Sequence, residues 1–239
     1  MKAPKYTDLE LIQRVWDVEE VKKLCAKRCY YLANDWREKE LDELWVIGEA
    51  AKKTASFGRN WGYYVGMDAI RDYYVNRHNQ QIDALPGKNH GDGCLFHHPA
   101  STGLVYEAYD GQTARGLWYC ISQETVPTSD TEADARWYLE KLAIDFLKED
   151  GQWKIWHVVI ATDLSSEAGA DYMQQPVDLP DGENPAFVEF GTPTLPMRTH
   201  NERYNWLDNY PAPPVPYKTF DEDNSYGPEG HPDYVEVEA

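Results

Sequence analysis

From Gly103 to Leu164 the chain is an almost unbroken series of strand-like runs, and this stretch constrains the fold more than any other. The runs are GLVYEAY, TARGLWYCISQET, RWYLEKLAIDFLKED and GQWKIWHVVIATDL. Asp110–Gly111 separates the first two, and Asp150–Gly151 leads into the fourth. An Asp–Gly pair supplies the positive φ angles of a tight hairpin, so consecutive runs are predicted to pair antiparallel. The pattern upstream is helical. Asp17 followed by Glu20 has capping-box spacing and predicts a helix to about Asn34, with Val21, Leu24, Cys25, Arg28, Tyr31 and Leu32 on one face. A shorter helix is predicted over 39–47, and MDAIRDYYVNR is a third, with Ile70, Tyr73 and Tyr74 inward. Residues 76–93 read as a polar loop carrying a Pro86–Gly87 turn. Three helices followed by a meander is an α+β order. It predicts a cone-shaped α+β barrel, a curved, mostly antiparallel sheet around the helices with an apolar cavity at its mouth.

The chain divides unevenly. Residues 165–239 hold eleven of the fifteen prolines, with fifteen acids against three bases, a net of −12 in a chain of −18. Residues 1–164 are therefore read as the folded domain and 165–239 as an extended, acidic arm. The arm also carries Phe187, Phe190, Tyr204, Trp206, Tyr210, Tyr217 and Phe220, which a disordered tail lacks. Most of it is expected to strap onto the domain or a neighbouring subunit, with a loose tail past about Asp221.

So acidic a protein repels phosphate backbones and anionic lipid, which argues against nucleic acid and membrane partners. No signal segment and no run of eighteen apolar residues is seen. Cys25, Cys29, Cys94 and Cys120 form no CxxC pair and are read as reduced thiols of a cytoplasmic protein. Cys94, His97 and His98 lie close together with His90 upstream, but a second ligand pair is missing and adjacent histidines in extended chain diverge, so no metal site is expected.

Period-2 reading sorts the strands. Trp153, Ile155, His157 and Val159 share one face of the last run, so His157 is predicted to face the core; Lys154, Trp156, Val158 and Ile160 take the other, an apolar surface suited to self-association. Trp118, Cys120, Ser122 and Glu124 share a face, as do Tyr138, Glu140, Leu142, Ile144 and Phe146. Arg28, out of place on an apolar stripe, is expected to pair with a buried acid such as Glu140. Several polar groups of different type thus converge on one aromatic cavity, the usual form of a small-molecule site.

The segments VEEVKKLCAKRCYYLANDWREKELDELWV, ASFGRNWGYYVGMDAIRDYYV, HPASTGLVYEAYDGQTARGLWY and FLKEDGQWKIWHV together resemble the SnoaL-like branch of the nuclear transport factor 2-like superfamily, over roughly residues 8–164. The nearest comparisons are the bile acid 7α-dehydratase and scytalone dehydratase types. The resemblance implies a cone fold and a proton-transfer enzyme without a cofactor, acting on a polycyclic or aromatic-like compound. It places the family histidine on His98, with His97 turned away. The family tyrosine falls on Arg28, with Tyr31 one turn on; the helix aspartate falls on Ala33, with Asp35 two residues later; the strand acid falls on Ser122, with Glu124 two further.

The expectation is therefore a lyase, such as a dehydratase, or an isomerase that moves protons on an apolar ring-containing substrate. His98 would be the base, with Tyr31 and Arg28 supporting an oxyanion and Asp35 and His157 completing the set. Phe57, Trp61, Tyr63, Tyr64 and Trp118 would line the cavity, with Ser122 and Glu140 as further contacts. The alternative is a non-catalytic binding protein of the same shape, distinguished by whether a carboxylate touches His98. A homodimer or homotrimer is expected.

Overall fold

The computed structural model describes residues 4–85, 93–129, 131–170, 191–196 and 210–231. The Pro86–Gly87 turn, His90 and the arm residues Phe187, Phe190, Tyr204 and Trp206 lie outside the described residues.

Helix α1 spans Asp8–Ala33 and starts a full ten residues before the predicted cap. Thr7 is the N-cap: its hydroxyl accepts from Glu10 N–H at 3.3 Å, and its own N–H donates to Glu10 Oε2 at 2.7 Å. The first turns carry Leu9, Ile12 and Trp16 at helical spacing, but that stripe is exposed, and the start was instead read from the Asp17–Glu20 spacing. Asp17, mid-helix and buried, accepts from Lys148 Nζ at 2.8 Å and Trp153 Nε1 at 2.9 Å. Replacing Thr7 with alanine is expected to cost about 1 kcal/mol in a denaturant titration, whereas a cap at Asp17 would leave that substitution silent.

Next come α2 (Arg37–Leu44), α3 (Glu49–Thr54) and a hairpin of β1 (Ser56–Arg59) and β2 (Gly62–Val65). Neither α3 nor the hairpin was expected from the sequence pattern. Helix α4 (Met67–Arg71) runs through a π-helical turn, Asp72–Arg77, into α5 (His78–Ala84), where a polar loop was expected. Within the turn both Tyr73 and Tyr74 reach the core, Tyr73 stacking on Tyr64 at 4.1 Å and Tyr74 on Phe57 at 5.2 Å.

The strands β3 (Leu95–His97), β4 (Ala100–Glu107), β5 (Thr113–Pro127), β6 (Ala133–Glu149), β7 (Gln152–Glu167) and β8 (Leu195–Pro196) complete one eight-stranded sheet. Its order is β3-β5-β6-β7-β1-β2-β8, with β4 also on β5. The pairing is antiparallel except that β1 runs parallel to β7. Asp150 and Gly151 both have positive φ, 48° and 78°, as the tight β6–β7 turn requires. The fold is thus α+β, with helices followed by a large, curved, unclosed sheet.

The concave face packs Trp118, Leu142, Ile144, Phe146, Ile155 and Val158 against Val21, Cys25 and Leu32 of α1 and Leu41 and Leu44 of α2. Two bulges correct the period-2 reading of β7. Asp145 pairs with His157 but Phe146 with Ile155, so Trp156 is the extra residue. One inserted residue reverses the parity beyond it. Trp153 and Ile155 face inward as predicted, but so do Val158 and Ile160, while His157 and Val159 face outward.

The convex face is partly covered by residues 210–231. Arg115 Nη2 donates to Asp221 O at 2.7 Å, Tyr226 N–H to Asp145 Oδ2 at 2.7 Å, and Lys141 Nζ to Tyr210 O at 3.2 Å. Tyr226 packs with Tyr63, Leu117, Ala143 and Val159. Where a loose tail was expected past Asp221, the chain stays packed to His231, with Ser225 and Tyr226 buried. No helix among the described residues is long and apolar enough to cross a membrane.

Candidate functional site

His98 sits in the two-residue break between β3 and β4, both of which pair with β5. Period-2 geometry places Ser122 and Glu124 on the concave face of β5 and Glu140 opposite on β6, and the three converge on the imidazole. His98 Nδ1 lies 2.9 Å from Glu140 Oε2, and Nε2 lies 2.8 Å from Glu124 Oε1. Glu140 is anchored further: Ser122 Oγ donates to Oε2 at 2.9 Å, Thr162 Oγ1 to Oε1 at 3.3 Å, and Arg59 Nη1 stands 3.9 Å from Oε1. The Tyr138 ring stacks on His98 at 6.4 Å. Exposure grades along this row, with 2% for the Glu140 side chain, 10% for His98 and 31% for Glu124.

The electrostatics follow. Burial works against a charged imidazole, but hydrogen bonds and charge from Glu124 and Glu140 outweigh it and push the pKa of His98 up to about 9. Burial likewise opposes ionisation of Glu140, yet His98, Arg59 and Ser122 hold its pKa at about 2. Glu124 is also lowered, by His98 against its own burial. At neutral pH the group is an imidazolium between two carboxylates. His98 so placed holds its proton near neutrality, whereas the expectation was a base ready to accept one.

A cavity of about 310 Å³ lies between α1 and the β3–β5 edge, with Lys22, Cys25 and Cys29 on one wall and His97, His98 and Trp118 on the other. Gly103 and Gly116 clear the space for the Trp118 indole, since a Cβ at either would collide with the ring. Phe57 is buried between Trp45 and Tyr74, and Tyr64 is stacked on Tyr73, so Phe57 and Tyr64 serve as core.

The structure brings together His98, Ser122, Glu124 and Glu140, and sets Trp118 beside them on the cavity wall. It separates the others. Arg28 pairs with Glu40, Nε to Oε1 at 3.2 Å, and not with Glu140. Tyr31 donates its hydroxyl to Glu43 of α2 at 2.6 Å, on a flank of α1 away from the cavity side that Cys29 and Ala33 occupy. Asp35, at φ 55° past the end of α1, accepts from Arg37 Nε at 2.9 Å and lies 2.7 Å from His78 Nε2. His157 is held by Asp145 at 2.9 Å beneath the C-terminal segment, placed there by the bulge. Trp61 donates to the Tyr64 hydroxyl at 3.2 Å, with Arg59 over its ring, and Tyr63 belongs to the convex face. Sequence reasoning missed Arg59 and Thr162. Arg59 comes from a hairpin whose only sequence signal is the Asn60–Trp61–Gly62 turn, and Thr162 faces inward because the bulge at Trp156 moves the inward set of β7 to Val158, Ile160 and Thr162. Among the described residues no group of three or more His, Cys, Asp or Glu is arranged to hold a metal ion.

A family model described as a SnoaL-like domain matches residues 13–159. Among solved structures, the hexachlorocyclohexane dehydrochlorinase LinA-type3 from Novosphingobium barchaimii superposes with a TM-score of 0.51 at 11% identity, over 69% of this chain and 99% of that one. The type 2 enzyme of that name gives 0.50 at 10%, over 69% and 97%. A scytalone dehydratase-like protein from Novosphingobium aromaticivorans gives 0.48 at 13%, over 70% and 95%. At these identities the likeness is one of fold. No curated protein matches the chain.

Proposed function

The chain belongs to the SnoaL-like domain family, and on that footing we propose that it is a lyase or isomerase working without a cofactor, by proton transfer on an apolar ring-containing hydroxy or keto compound. The observation that carries this reading is the Glu124–His98–Glu140 row, with the imidazole at the wall of an otherwise largely apolar cavity. A positioned acid–base pair contributes about 10²–10⁴ in rate. In a dehydration, the Glu124 carboxylate takes the proton from carbon next to a carbonyl and the C–H pair becomes the new double bond. The His98 imidazolium gives its Nε2 proton to the departing hydroxyl, which leaves as water. Glu124 then returns its proton to His98. Glu140 touches no substrate; it fixes the ring and keeps it charged. The dehydratase and dehydrochlorinase names among the structural neighbours describe eliminations on ring compounds, which agrees with this reading without specifying a substrate.

A carboxylate on His98 is what the catalytic reading requires, but with both nitrogens engaged a second reading stands beside it: a binding protein whose imidazole is a structural cation. Incubation with a panel of cyclic ketones in D₂O separates the two. The proton-transfer reading expects deuterium to enter beside the carbonyl faster than in buffer, at a rate level from about pH 5 to 8 and falling as pH passes about 9, where His98 loses its proton. Ketones that bind and raise the melting temperature with no exchange above background overturn it in favour of binding.

A further inference from the structure

Helix α1 presents Cys25 and Cys29, one turn apart, to the same 310 Å³ cavity that holds His98, and Cys120 is buried on the adjacent strand. The proton-transfer reading uses none of these thiols. We propose that Cys29 is the cavity's nucleophile and a site of covalent capture for α,β-unsaturated ring ketones.

The geometry supplies what such a site needs. Cys29 is the more open of the pair, while Cys25 is buried beneath it. The Cys25 thiol, one turn away, is the largest influence favouring a charged Cys29 sulfur, and the Ala100 backbone on the opposite wall adds to it. The Arg28 guanidinium adds positive charge from the neighbouring position, against the opposing charge of Glu40, and the net effect holds Cys29 at about 6 against a usual 9. Cys25 moves the other way, upward, because ionising it would set two thiolates side by side. Desolvation, the larger charge of Glu140 and the neighbouring thiols push Cys120 upward as well. Of the three, Cys29 is the least buried and the one whose thiolate its surroundings favour. Lys22 at the rim, Trp118 and the apolar Ala26, Ala33 and Pro99 shape a space for a flat ring.

The step balances without an oxidant. The Cys29 sulfur pair forms a C–S bond to the β-carbon, the C=C pair moves to give an enolate, and the α-carbon takes a proton from water. The choice of an enone rests on the proposed function, since dehydrating a β-hydroxy ketone produces one; the reactivity of the thiolate does not.

The test exposes the full-length protein to 2-cyclohexen-1-one and maps the adduct by peptide mass. Capture is expected at Cys29, with a rate half-maximal near pH 6 and at least about tenfold above that of Cys94 at neutral pH. Cys29→Ser is expected to abolish it, and Cys25→Ala to raise the pH midpoint by removing a donor. An adduct chiefly on Cys94, a Cys29 rate that climbs only through the usual thiol range, or no adduct overturns the proposal. Deuterium exchange on saturated ketones reads the proton-transfer site separately, so the failure of one is distinguishable from the failure of the other.

Discussion

Replacing His98 with glutamine is expected to lower ketone deuterium exchange at least about a hundredfold, within the range a positioned acid–base group contributes. The reason is specific to this site. Both carboxylates owe their ionised state to the imidazolium between them, so its loss removes the acid and also changes the base. Glutamine cannot carry the charge, and Glu124 and Glu140 are then left as two like charges on either side of a neutral amide. The variant loses stability for the same reason, so exchange is compared below its melting transition. Glu124→Gln is the companion variant: the amide oxygen still accepts from His98 Nε2, the cation stays, and only the base is gone. It is expected to lose exchange by a similar factor with a smaller change in melting temperature. Exchange at the wild-type rate in both variants would remove the row from the chemistry altogether.

Truncating Glu140 to alanine is expected to cost about 3–5 kcal/mol of unfolding free energy, the range found when one member of a buried ion pair is removed. Four groups lose a partner together: His98 Nδ1, Ser122, Thr162 and the Arg59 guanidinium. Glu140→Gln keeps most of the volume and an acceptor and is expected to cost less, which separates charge from packing. The pH dependence has a definite sign. The folded pKa of Glu140 is depressed to about 2, so its stabilisation is present above about 4.5 and is lost as pH falls toward 2. That of His98 is raised to about 9, so its share is complete below about 6.5 and is lost as pH rises toward 9. The gap between wild type and Glu140→Ala in urea titrations is therefore expected to be widest between those limits. A gap that stays constant from pH 5 to 9 would mean that packing, not charge, holds the site.

Much of the site was legible because β5 and the start of β6 alternate cleanly. Ser122, Glu124, Tyr138 and Glu140 fell on the concave face by parity alone, and His98–Pro99 marked the entry to β4. What failed did so for identifiable reasons. Arg28 was given the wrong acid, since Glu40 lies on a short helix whose orientation no periodicity reveals. Tyr31 and Asp35 were carried over by their spacing, but Tyr31 lies on the flank of α1 that meets Glu43, and Asp35 lies past the helix end at Ala33, where the chain turns away. Arg59 went unnoticed because a four-residue strand is too short to display a period. The thiols were read as small apolar residues, and only their unequal burial at the cavity wall distinguishes Cys29 from Cys25.

The sequence by itself determined that helices precede a meander of long strands, the hairpin turns at Asp110–Gly111 and Asp150–Gly151, and the family. These depend on local conformation and on patterns within one segment, which neighbouring residues are enough to impose. Only the tertiary structure decided which way β7 faces, what Arg28 pairs with and how many carboxylates reach His98. Each of these turns on a bulge or on packing between distant segments. A single extra residue at Trp156 moved His157 from the concave face to the far side of the sheet, and that register is set by the partner strand rather than by β7 itself.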